Sequence, residues 1–93
     1  MAFFAEQSLR RIKAAVNAVP AENAYFSMNL SGVDLRADFG WGEGIEIRCE
    51  NDRYICIRHL ERATKVDEIP GEEEAVQLFI RMASAGKSRR NSL

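Results

Sequence analysis

One histidine, His59, and two cysteines, Cys49 and Cys56, are the only imidazole and thiols in the chain. A thiol nucleophile needs a base beside it and a setting that favours the thiolate. No activating group flanks either cysteine in the sequence. His59 shares the parity of Ile55 and Ile57, which reads as a structural histidine leaning toward the core at the end of a strand. Cys49 has inward parity and Cys56 outward, so no disulfide between them is expected. Two thiols and one imidazole without ligand spacing predict no metal site, and no cofactor is expected.

Four carboxylates, Asp34, Asp38, Glu46 and Glu50, could in principle divide acid and base roles between them. Arg36 and Arg48 alternate with them, so a salt-bridged surface is the simpler expectation. Gly40-Trp41-Gly42-Glu43-Gly44 is the most unusual string in the chain. A phosphate-cradling loop needs a helix after it and usually a lysine. Here strands flank the string and its charge is Glu43. It reads as a hairpin loop that presents Trp41, a residue type frequent among interface anchors.

Two basic groups remain: Arg10, Arg11 and Lys13 near the start, and Lys87, Arg89 and Arg90 near the end. Together they could give salt-sensitive affinity for nucleic acid. The helix–sheet–helix order resembles double-stranded-RNA-binding domains in outline. Those domains set lysines at the start of the last helix to reach phosphate. This chain has Glu72, Glu73 and Glu74 there. Nucleic-acid contact is therefore the second reading, behind contact with protein.

The positioning elements follow from periodicity. Ala5, Leu9, Ile12, Val16 and Val19 recur at helical spacing, with Glu6, Arg10, Lys13 and Asn17 opposite. Pro20 ends that helix. Of Phe3 and Phe4, one is expected on the core. From residue 24 to 60 the period becomes two, in four half-buried strands. Ser31-Gly32 is expected to turn the first hairpin and pair Leu30 with Val33. In the second, a Gly42-Glu43-Gly44 loop sets Asp38 beside Arg48 and Arg36 beside Glu50, with Trp41 on the inward parity. A Gly40-Trp41-Gly42 loop would instead pair Asp34 with Arg48 and Arg36 with Glu46. A three-residue loop, Asn51-Asp52-Arg53, is expected to turn the third, which puts Tyr54 and Arg58 on the outer face. Residues 61–70 read as a connection of mixed charge, with a short extra strand at Thr64-Lys65-Val66 as the less favoured alternative. A final helix starts near residue 72 with acids in its first turn, where the helix dipole favours them. Gly86 reads as its stop.

The expected fold is therefore α+β: a four-stranded antiparallel meander with an N-terminal and a C-terminal helix on one face. Residues 1–86 form the domain, and residues 87–93 a polar, basic tail. A helix followed by such a meander resembles the cystatin-like arrangement, a likeness of fold that carries no function. Ninety-three residues, 46% of them hydrophobic, suit one small domain with a real core. No apolar run approaches the length of a membrane span, and the first residues lack the basic start of a secretory signal. A cytoplasmic protein that does not contact membrane is expected. The net charge of −1 hides basic ends around an acidic middle.

The combination points away from catalysis. A small protein-binding or regulatory module is expected, one that meets another protein or a second copy of itself. Its size fits an accessory factor of a phage or mobile element. Trp41, Glu43, Arg36, Arg48, Tyr54 and Arg58 are the candidate contact residues.

Overall fold

The computed structural model describes residues 4–20 and 25–91. Its order is α1 (Glu6–Asn17), β1 (Ser27–Leu30), β2 (Asp34–Gly40), β3 (Glu43–Glu50), β4 (Arg53–His59), β5 (Thr64–Ile69) and α2 (Glu72–Asn91). The strands form one antiparallel sheet in chain order. Both helices lie on the same face of it. The class is α+β as expected, but with five strands instead of four. Residues 64–69 pair with β4 along their whole length, from Thr64 opposite His59 to Ile69 opposite Tyr54. They escape a periodicity search because only Ile69 among them is buried.

Three turns differ from expectation. In the first hairpin the Ser31 N–H donates to the Asp34 carbonyl at 2.8 Å, and the Ser31 hydroxyl accepts from the Asp34 N–H at 3.1 Å. The corner is therefore Gly32-Val33, and Leu30 sits opposite Leu35. That two-residue shift keeps Met28, Leu30, Leu35 and Ala37 on the helix side. In the second hairpin Gly40, Trp41 and Gly42 take φ of 84°, 57° and 75°. Three successive left-handed residues suit a tight hairpin corner, and two glycines make it accessible. The corner is Trp41-Gly42, and Asp34 faces Arg48 while Arg36 faces Glu46. The register expected from a Gly42-Glu43-Gly44 loop is not the one adopted.

The third hairpin has the larger effect. Asn51 and Asp52, at φ of 50° and 63°, make a two-residue turn, so Glu50 pairs with Arg53. One residue less in the loop inverts the whole of β4, because neighbouring side chains in a strand point to opposite faces. Tyr54, Cys56 and Arg58 lie on the helix side, and Ile55, Ile57 and His59 on the outer side. That reverses the expected parity of all six.

The core lies between the sheet and α2, closed at one flank by α1. Leu35, Ala37, Phe39, Ile45, Ile47 and Cys56 meet Ala75, Val76, Phe79 and Ala83 of α2 and Ile12 and Val16 of α1. Phe4 is buried, its ring 5.2 Å from that of Tyr54; Phe3 lies outside the described residues. Gly86 does not stop α2, which continues through Lys87 to Asn91. A β-carbon at Gly86 would stand 2.4 Å from the Phe39 ring. The glycine is there so that the helix can lie directly on that ring.

The two helices run in the same direction. Glu72, at the start of α2, accepts hydrogen bonds from the Ala5 N–H and the Ser8 hydroxyl, both at 2.8 Å, and so caps α1. Fifteen residues on, the Lys87 ammonium donates to the Val16 carbonyl at 3.2 Å, near the other end of α1. It also sits 5.2 Å above the Phe26 ring centre. Parallel helices bring two positive dipole ends together. The acids Glu72 and Glu73 stand where those ends meet.

Candidate interaction surface

The sheet face turned away from the helices carries four cross-strand rows. One runs Arg36, Glu46, Ile57, Val66, and the next Asp34, Arg48, Ile55, Glu68. A third runs Asp38, Gly44, His59, Thr64, and Glu50 faces Arg53 at the far end. The half on β2 and β3 is ionic, whereas the half on β4 and β5 is apolar at its centre. No described helix covers this face. Ile55 and Ile57 are half-buried by their neighbours, and Val66 is 63% exposed.

The ionic half is more than a scatter of surface charge. The Arg48 guanidinium lies 3.1 Å from a Glu46 carboxylate oxygen and 3.8 Å from Glu50. Arg36 reaches Asp38 at 3.3 Å. Glu46 is only 5% exposed, and its bond raises the pKa of Arg48. Asp34 is pushed up from the usual aspartate value, first by burial and then by the charge of Glu46 and a hydrogen bond with it; Arg48 and Arg36 oppose the shift. One Asp34 carboxylate oxygen is buried with no hydrogen-bond partner among the described residues. The close ion pairs therefore run along each strand, Arg36 with Asp38 on β2 and Arg48 with Glu46 and Glu50 on β3, while among the described residues the cross-strand neighbours Asp34 and Arg48 form no close ion pair.

At one end of this face the β2–β3 corner projects. Trp41 is 68% exposed and holds a left-handed backbone that bulky residues seldom adopt. Beside it a shallow cleft of about 200 Å³ is lined by Arg36, Asp38, Gly40, Gly42, Glu43 and His59. Trp41, Glu43, Arg36 and Arg48 thus share one surface, as the sequence suggests. Tyr54 and Arg58 do not join it. Tyr54 packs on Phe4, and Arg58 pairs with Asp67 at 3.2 Å on the helix side. In their place stand Ile55, Ile57, Val66 and His59. The Ile55-x-Ile57 spacing signals the two isoleucines, and one residue of turn length decides which face they take.

The thiols are poorly set for chemistry. Cys49 and Cys56 are free and both lie on the helix side, correcting the outward placement of Cys56. Burial is the main cause that raises both thiol pKa values, which keeps them protonated. His59 points from the opposite face of the sheet. Among the described residues no group of three or more His, Cys, Asp or Glu is placed to hold a metal ion.

The basic residues are dispersed. Arg10 pairs with Glu6 at 2.6 Å, and Arg11 grips Glu73 at 2.9 and 3.0 Å. Lys87 is held by Val16 and Phe26. Lys13 lines a groove of about 320 Å³ with Leu9, Met28 and Leu30, between α1 and β1. Arg89 and Arg90 fall within the last turns of α2, and their side chains lie outside the described part.

Set against protein-family models, curated proteins and solved structures, the chain matches none. No helix among the described residues is long and apolar enough to cross a membrane.

Proposed function

We propose that this protein is a non-enzymatic binding module that docks on another protein through the outer sheet face and the β2–β3 corner. Trp41 carries the reading. A large indole is 68% exposed at a corner whose φ of 57° asparagine or glycine would accept with less strain. The backbone at this corner does not favour tryptophan, and the exposed indole is placed to meet a partner. The uncovered row of Ile57 and Val66, beside an ordered set of ion pairs, supplies the apolar centre and polar rim typical of interfaces. Regulation of a larger partner, as an accessory factor, fits such a surface. Both thiols are held protonated and His59 lies across the sheet from them, which supports a role without catalysis.

Affinity capture from the source cells, with wild-type and Trp41→Asn baits side by side, tests this. The expected result is a partner held by the wild type and lost by the variant, while the variant melts at the same or a higher temperature. Identical retention by a folded Trp41→Asn bait would refute the role of Trp41. Of the six cations considered for nucleic acid, Arg10, Arg11 and Lys87 are engaged within the fold, and that reading gains no support.

A further inference from the structure

β5 is the last strand of the sheet, and its outer edge is open among the described residues. Thr64, Lys65, Val66, Asp67 and Glu68 are all exposed. Such edges are commonly blunted by charge, because their free N–H and C=O groups would otherwise pair with any strand. The charges here have an order. Lys65 and Asp67 flank Val66, and all three are next to one another on a strand of six residues.

A two-fold axis perpendicular to the sheet pairs two copies of β5 antiparallel and keeps equivalent faces on the same side. Only residues of equal parity can then stand opposite. With the axis at Val66, Lys65 faces the partner's Asp67, Asp67 faces the partner's Lys65, and Val66 meets the partner's Val66. Thr64 faces the partner's Glu68. Moving the axis to Asp67 sets two aspartates against each other, and moving it to Lys65 sets two lysines together. Like charges directly opposite are unfavourable and opposite charges favourable. Among the described residues Lys65 has no ion pair of its own, whereas Asp67 already lies 3.2 Å from Arg58. Asp67 would then stand between Arg58 and the partner's Lys65. Pro70, which lacks an N–H, would fall opposite Arg62, beyond the paired segment.

We infer that β5 is the contact for a second copy of this chain, in the single register centred on Val66. The charges that turn away other strands select this one. The result is a continuous ten-stranded sheet in which the Ile55, Ile57 and Val66 rows of two copies join into one outer face. One short strand per copy gives a small interface, of the weak and reversible kind. The dimer does not depend on Trp41, so the capture experiment above and the one below can fail separately.

Sedimentation equilibrium of the full chain over a wide concentration range reads it. The wild-type mass is expected to rise from 10.5 kDa toward twice that value. Lys65→Glu alone and Asp67→Lys alone should each remain monomeric, since each puts like charges in both cross-strand pairs. An equimolar mixture of the K65E and D67K chains should regain the dimer, because every cross-strand pair is then of opposite sign. Circular dichroism confirms that both variants fold. A wild type that stays monomeric throughout overturns the assignment. So does a dimer that persists in both single variants, which would put the contact elsewhere, and so does a mixture of folded variants that fails to associate.

Discussion

Gly86→Ala opposes two well-known effects and lets the structure decide between them. Gly86 lies inside α2, five residues before its end. Replacing a helical glycine with alanine normally stabilises by about 1 kcal/mol. At this position, however, a β-carbon would lie 2.4 to 2.6 Å from three atoms of the Phe39 ring. Phe39 is 5% exposed and stacks 6.1 Å from Phe26, so the ring has little room to retreat. Overpacking a core by one carbon costs about 1–3 kcal/mol, and contacts this short belong at the upper end. The net expectation is a loss of about 1–2 kcal/mol, once the gain in helix propensity is subtracted. In a domain of this size that lowers the melting temperature by about 5–15 °C. Chemical denaturation of Gly86→Ala, Phe39→Leu and the double variant separates the terms. The smaller side chain frees the space, so the double variant should be more stable than the sum of the singles by about 1–2 kcal/mol. If Gly86→Ala alone raises stability, α2 does not rest on the Phe39 ring.

Two charge predictions accompany it. The Arg11 fork, and after it Gln77, hold the Glu73 carboxyl down to about 2, so a carboxyl NMR titration should find its midpoint there. Its contribution to stability is whole above the usual glutamate range and is lost as pH falls toward that value; Arg11→Ala should return the midpoint toward about 4.3. Asp34 has the opposite sign, because burial and Glu46 raise its folded pKa. Its ionisation therefore weakens the fold as pH rises through that pKa. Asp34→Asn should melt higher than wild type at pH 7, with the advantage shrinking as pH falls into the carboxylate range; equal melting at both ends would show that Asp34 is not strained.

Much of the scaffold could be read before any coordinates. The stripe of Leu9, Ile12 and Val16, and the alternation through Leu35, Ala37, Ile45 and Ile47, each have one apolar face, and a face with no rival is legible. β4 has two. Tyr54 and Cys56 alternate with Ile55 and Ile57, all of them apolar enough to bury, so the pattern alone could not choose between them. The choice was made by Asn51 and Asp52, a pair that accepts left-handed backbone at both turn positions. β5 was hidden for a different reason. An edge strand with one buried residue, Ile69, carries almost no periodicity, and its charges look like a loop's. Gly86 resembles a helix stop because stops and close packing both call for a missing side chain. The candidate surface depends on the same turn: Arg36 and Arg48 lie on the outer face with the Trp41 and Glu43 corner beside it, whereas Ile57 and Val66 stand there in place of Tyr54 and Arg58.

The fastening of α1 has a consequence for synthesis. Its N-terminal end is capped by Glu72 across 67 residues of chain; at its C-terminal end Lys87 joins, across 71, the Ala18 and Val19 N–H groups that already close the Ala14 and Val16 carbonyls. α1 is therefore synthesised well before the carboxylate that closes its N-terminal end. A product that stops before residue 87 keeps the whole sheet and the Glu72 cap in its sequence but loses the Lys87 contact with Val16. A stop before residue 72 removes the cap as well and leaves the N-terminal end of α1 open. Such a chain offers proteases a frayed helix and a sheet without α2 over it.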